Sequence, residues 1–122
     1  MQKAPLGDPA APLHQFLVQD RDLYMLSLDG SRKLTPFLQS PSNEQNPAFS
    51  PDGKFVAYET DESGKFEIVV TPYPSRNGKW QISSSGGTTP FWDPSGREIY
   101  FVQGTTVYSV AVTTGAGFDY SA

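Results

Sequence analysis

Phe49-Ser50-Pro51-Asp52-Gly53-Lys54-Phe55-Val56-Ala57-Tyr58 is echoed later in the chain by Trp92-Asp93-Pro94-Ser95-Gly96-Arg97-Glu98-Ile99-Tyr100-Phe101. Both phrases read aromatic, polar, Pro, polar, Gly, basic, any residue, aliphatic, then two further core-type residues. The second follows the first by 43 residues. Proline presets φ and glycine takes φ > 0, so each phrase makes a tight turn between two strands. A period of about 40–45 residues built from short strands is the signature of a propeller blade. Such a repeat speaks strongly for architecture and weakly for chemistry.

Working outward, the flanking segments match as well. Asn46-Pro47-Ala48-Phe49 and Thr89-Pro90-Phe91-Trp92 each lead into their turn as a short strand. Strands follow at Phe55 to Thr60 and Glu98 to Gln103, then at Phe66 to Thr71 and Val107 to Val112. Lys79 to Ser83 reads as an outer strand, and residues 115–122 hold a weak counterpart. Upstream, His14 to Val18, Leu23 to Leu28 and Lys33 to Leu38 fit the same template without its innermost strand. Pro36 cannot donate to a ladder, which places the last of these at a sheet edge. Leu23, Ile68 and Val107 take equivalent places in the three units. No segment sustains the 3.6-residue period of a helix. The expectation is an all-β, partial propeller of about three antiparallel blades, at about 15–42, 43–85 and 86–122, after a flexible Pro-rich arm at 1–14.

The composition excludes several classes of function. The 122 residues carry a formal net charge of −4 and no basic cluster, a poor match for nucleic acid or an anionic membrane. No cysteine is present, so neither a disulfide framework nor a thiolate metal site can form. No stretch approaches the roughly 18 apolar residues of a membrane span. The N-terminus lacks a signal-peptide core, so the chain reads as cytoplasmic as written, and as periplasmic or extracellular if it is a piece of a longer exported protein.

The phrase at 49–58 is similar to the TolB-like, WD-like β-propeller repeat. Asp61-Glu62-Ser63-Gly64, Ile68 to Pro74, Gly78 to Ser83 and Gly86-Gly87 resemble propeller repeats that follow bacterial serine/threonine kinase domains. The resemblance covers about residues 15–115. Its departures are specific: Asp93 and Ser95 swap the two polar positions, and the first unit lacks the phrase. Members of the family usually carry six or more blades. The family's kinase and peptidase motifs are absent here, so no catalytic residue carries over.

Phe49, Pro51, Asp52, Gly53, Trp92, Pro94 and Gly96 are therefore expected to be structural repeat residues, with Phe49 and Trp92 in the core and Asp52 accepting hydrogen bonds from turn amides. Calcium needs six to eight oxygens, and Asp20, Asp22, Asp61 and Glu62 read as hairpin-tip charges instead. His14 is the sole histidine and sits beside no nucleophile motif. Gly86-Gly87 and Gly115-Ala116-Gly117 lack a following helix and read as connections, not phosphate loops. Tyr73, Trp80, Tyr108 and Tyr120 are candidates for an exposed surface. No catalytic residue, cofactor or metal is expected. A propeller protects its edges by closing, and three units leave the ring open. The functional expectation is a non-catalytic interaction or ligand-binding module that self-associates, most simply as a dimer closing a six-bladed ring, or that takes another protein partner. The alternative is a regulatory or sensor piece of a larger enzyme, a kinase or a propeller-gated peptidase.

Overall fold

A computed structural model describes residues 14–19, 22–28, 33–38, 40–115 and 117–121. The arm at 1–13, Asp20, the Asp29-Gly30 turn and Ala116 lie outside the described residues. Among the described residues every regular element is a strand, and the pairings are antiparallel. The first sheet is β1 (His14–Gln19), β2 (Asp22–Ser27) and β3 (Leu34–Leu38), in that order. The second is β4 (Glu44–Phe49), β5 (Phe55–Thr60), β6 (Glu67–Pro72) and β7 (Trp80–Gln81). The third repeats that order with β8 (Thr88–Trp92), β9 (Glu98–Gln103), β10 (Thr106–Thr113) and β11 (Asp119–Ser121). Pro36 lies in β3, an edge strand, opposite Tyr24 and beside a register shift in the ladder.

The second sheet lies between the other two, and its sequence shows why. All six residues of β5 are buried, as are the first five of β6. A strand covered on both faces has no polar side, so its sequence runs almost continuously apolar. Phe55, Ala57, Ile68 and Val70 point to one side, where they meet Ile99, Phe101, Val110 and Val112 of the third sheet. Val56, Tyr58 and Val69 alternate to the other side and pack with Leu23 and Phe37 of the first sheet. Full burial of a side chain such as Ile68 or Ile99 contributes roughly 1.5–3 kcal/mol.

The two repeat phrases keep the same register. Phe49 pairs with Val56 and Trp92 with Ile99 across their turns. Gly53 N–H closes the first turn on the Ser50 carbonyl at 2.9 Å, and Gly96 N–H closes the second on Asp93 at 2.8 Å. Both glycines are left-handed, with φ of 73° and 76°, where a side chain would be strained. The swapped polar pair preserves one network. Ser50 Oγ donates to Asp52 at 2.5 Å, and Ser95 Oγ donates to Asp93 at the same distance. The amide that follows the glycine is satisfied in both: Lys54 N–H by the Asp52 carboxylate, and Arg97 N–H by Ser95 Oγ. A serine–aspartate pair two residues apart therefore serves in either order.

Two expectations change. Phe49 and Trp92 are half-buried against the cores rather than enclosed by them. β4 and β8 are edge strands, so one flank of each ring stays open. Val107 holds the register position of Ile68, opposite Val102 as Ile68 is opposite Glu59, yet it is 59% exposed where Ile68 is fully buried. No fourth sheet covers it among the described residues.

Candidate functional site

Inner strands β4 and β8 share a bulge that bends each into its turn. The register shifts between Gln45 and Ala48 in one and between Thr88 and Phe91 in the other. At the shift Asn46 takes φ of 52° and Thr89 takes 53°. Left-handed backbone is tolerable for asparagine and costly for a β-branched residue. Glu59 holds both bulges. Fully buried, its carboxylate accepts from Asn46 Nδ2 at 2.5 Å, from the Thr89 amide at 2.6 Å and from Gln45 Nε2 at 2.8 Å. One side chain of the second sheet thus locks the start of the third.

Two more buried glutamates stand at the same end of the second sheet. Glu67 accepts from Ser83 Oγ at 2.5 Å and from the Gly86 amide at 2.9 Å. Ser83 Oγ in turn accepts the Ile68 amide, and Gly87 is packed so closely on Ser83 and Ile68 that a Cβ would lie 2.9 Å from that hydroxyl. Gly86-Gly87 is therefore a packed connection in which contact requires glycine at 87 and a φ of 100° favours it at 86. Glu44 accepts from Ser40 and Thr60 through one oxygen, while its other oxygen is buried without a partner. Burial pushes the Glu44 carboxyl above its ordinary value, and the nearby Asp22 and Asp61 add to this against the two hydroxyl donors. These glutamates are what sequence reasoning missed. Their signal was a charged residue inside an otherwise apolar strand, as at Glu59.

The residues singled out in the sequence fall into different surroundings. Asp61 is more than a tip charge: it accepts from the Asn43 amide at 2.8 Å and from Asn43 Nδ2 at 2.7 Å, tying the β5–β6 loop to the start of β4. Glu62 meets Lys79 at 2.5 Å in an exposed pair. Asp52 reaches across to the third unit, where Thr114 Oγ1 donates to it at 3.1 Å. Hydrogen bonds from Ser50, the Lys54 amide and Thr114 outweigh the effect of burial and hold the Asp52 carboxyl below its ordinary value. Tyr73, Trp80 and Tyr120 are half-buried and pack against the cores. Tyr108 alone of those four aromatics is exposed, at 45%, and it stacks on Phe101 with centroids 5.8 Å apart. His14 begins β1.

Two open surfaces border the third sheet among the described residues. A groove of about 340 Å³ runs between the second and third sheets, lined by Ile82, Ser84, Gln103 and Tyr108 among others. Gln103 Nε2 lies 2.9–3.0 Å from the carbonyls of Ser84, Ser85 and Gly86, to which its two hydrogens donate. The outer face of the third sheet carries Phe91, 45% exposed and stacked on Tyr100 at 5.1 Å, together with Val107. Tyr100 OH donates to Glu98 and Asp93 at 3.3 Å, so this face is apolar with an acidic margin. Among the described residues no group of three His, Cys, Asp or Glu could hold a metal ion, and no helix is long and apolar enough to cross a membrane.

No protein-family profile matches the chain. Dipeptidyl-peptidase 5 of Porphyromonas gingivalis is 29% identical over 84 residues, which are 68% of this chain and 12% of that protein. Putative TolB from Agrobacterium tumefaciens is similar in structure, with a TM-score of 0.66 at 20% identity over 88% of this chain and 43% of its own. TolB from Acinetobacter baumannii gives 0.63 at 14% identity, over 88% of this chain and 28% of its own. The chain spans less than half the length of each of these proteins.

Proposed function

From a chain that has the TolB-like β-propeller fold, we propose a non-catalytic interaction module that completes its ring by joining a second copy of itself. The observation that carries the reading is the outer face of the third sheet. Val107 is 59% exposed there at the repeat position where Ile68 is fully buried. Covering apolar surface stabilises by about 25 cal/mol per Å² before association costs. Two chains of three sheets make six, within the usual range of about four to eight blades. The contact is head-to-tail and closes with two-fold symmetry. Sedimentation equilibrium at micromolar concentration tests it: twice the chain mass is expected, and a strictly monomeric mass overturns it.

The peptidase match favours a second reading, in which the chain is a regulatory propeller piece acting beside a peptidase domain encoded elsewhere. A peptidase reading frame fused or adjacent to this one would support that alternative. Isolation from any such frame would remove it.

A further inference from the structure

We infer that the outer edge of β10, from Thr106 to Val110, takes up an extended segment of a partner protein, paired antiparallel to it with an apolar side chain entering the groove beside Tyr108. The site is an edge of the third sheet and not the face that a second copy would cover, so it goes beyond self-association and does not depend on it.

Hydrogen bonding locates the edge. Val112 N–H donates to the Arg97 carbonyl at 2.9 Å. Bonded positions alternate along an antiparallel ladder. Val110, Tyr108 and Thr106 therefore also turn their backbone groups to β9, while Val107, Ser109, Ala111 and Thr113 turn theirs outward. β11 takes the last two, with Ala111 opposite Ser121 and Thr113 opposite Asp119. Val107 and Ser109 have no strand on that side among the described residues.

The second sheet has the same two positions filled. Ile68 stands in its ladder where Val107 does, and Val70 where Ser109 does. Val70 pairs with Trp80. Ile82 N–H donates to the Ile68 carbonyl at 2.9 Å, and Ile68 N–H donates to Ser83 Oγ at 2.8 Å. One short run, Trp80 to Ser83, thus covers the edge of β6. In the third sheet the outer strand is displaced toward the end of β10 and leaves the matching stretch bare.

Sheet edges are ordinarily blunted by charge, by proline or by shortness. β3 carries Pro36, β7 is two residues long with Lys79 before it, and β11 begins with Asp119. β10 reads Thr-Val-Tyr-Ser-Val-Ala-Val-Thr and has none of these protections. In strand addition the main chain supplies affinity, and pockets for alternate side chains supply selectivity. Val107 is 59% exposed on one face of this edge and Tyr108 45% exposed on the other. The Tyr108 face borders the groove of about 340 Å³ whose lining includes Ile82 and Ser84. A residue paired opposite Tyr108 shares its face and reaches that groove. The occupant is therefore an uncharged extended segment that is apolar at this position. Ser121 stands opposite Ala111 at one end of the bare stretch, and the turn at Gly104 ends the other. The space is that of a lone segment such as Trp80 to Ser83, not of a second sheet.

Residue-resolved amide hydrogen exchange tests this with a synthetic peptide of the sequence Lys79 to Ser84, which pairs with such an edge in this chain. Exchange at Val107 and Ser109 should slow by about tenfold when the peptide is at about ten times its Kd. Tyr108 and Val110 should change little, because their amides already bond to β9. A peptide N-methylated on Ile82 should lose binding, since that nitrogen donates to the edge. One methylated on Gln81 should keep it, since that nitrogen points away. A Gln81→Val peptide puts an apolar side chain opposite Tyr108 and should bind more tightly. In the protein, Ser109→Pro removes an outward donor and leaves the β9 ladder whole, so protection at Val107 should vanish while circular dichroism matches the parent. Unchanged exchange at Val107 and Ser109 with the parent peptide, equal binding by the two methylated peptides, or a Gln81→Val peptide that binds no better would each overturn the inference. So would a dimeric parent that Ser109→Pro converts to monomer, since the edge would then serve a second copy.

Discussion

Glu59→Ala is the sharpest probe of how the sheets are joined. The carboxylate is fully buried and accepts three hydrogen bonds, from Gln45, Asn46 and the Thr89 amide. A hydrogen bond to a charged group contributes roughly 1.5–3 kcal/mol. Three such bonds set an upper limit that two effects reduce. Asn46 and Thr89 are exposed residues, so water can replace part of what they lose. The cost of burying the carboxylate is also recovered when it is removed. The expected net loss is about 3–4 kcal/mol. The bulges at Asn46 and Thr89 should relax, since nothing else among the described contacts holds the Thr89 amide. Urea unfolding followed by tryptophan fluorescence measures the loss. Trp92 lies in β8 and Trp80 in β7, so the two report on both sheets that Glu59 joins. Glu59→Gln should also destabilise, by about 1–2 kcal/mol, because its amide presents a donor to donors. Unfolding free energies within about 0.5 kcal/mol of the parent for both variants, the range of an ordinary surface change, would refute the locking role.

Other outcomes follow from single observations. Glu44→Gln should be more stable than the parent at neutral pH. The native Glu44 carboxyl titrates above its ordinary 4.5, so the folded state binds more protons than the unfolded one over that window and stability falls as pH rises through it. The advantage of the variant should close below pH 4.5, and thermal melts across that range that stay parallel would count against it. Thr89→Asn should raise stability by about 0.5–1 kcal/mol, since asparagine accepts the left-handed backbone that Asn46 already adopts at the same repeat position. Chemical denaturation showing a loss instead would mean that the threonine side chain makes a compensating contact.

How far the fold could be read from the chain depends on the range of each interaction. The turns at 50–53 and 93–96 were legible because proline, glycine and a serine–aspartate pair act on their own backbone within four residues. β5 and β6 were legible as strands from their β-branched and aromatic residues, but their double burial was not, because it depends on the sheets that lie on either side. Glu59 was not, because a carboxylate in a strand reads as solvent-facing until the strand of a neighbouring unit brings the Thr89 amide to it. Asp61 was underestimated for the same reason: its partner Asn43 lies 18 positions away in sequence.

The sequence by itself determined the repeat, the strand order within each unit and the turn chemistry, since these rest on local backbone preference and on alternation along a strand. Tertiary structure decided which copies of a repeated position are inside. Ile68 and Val107 are interchangeable in the repeat, and both are β-branched and apolar. One is fully buried and the other 59% exposed because burial depends on whether a further sheet lies against that face. A repeat encodes a surface that needs covering. What covers it is set by the neighbour, and among the described residues no further sheet lies against the third.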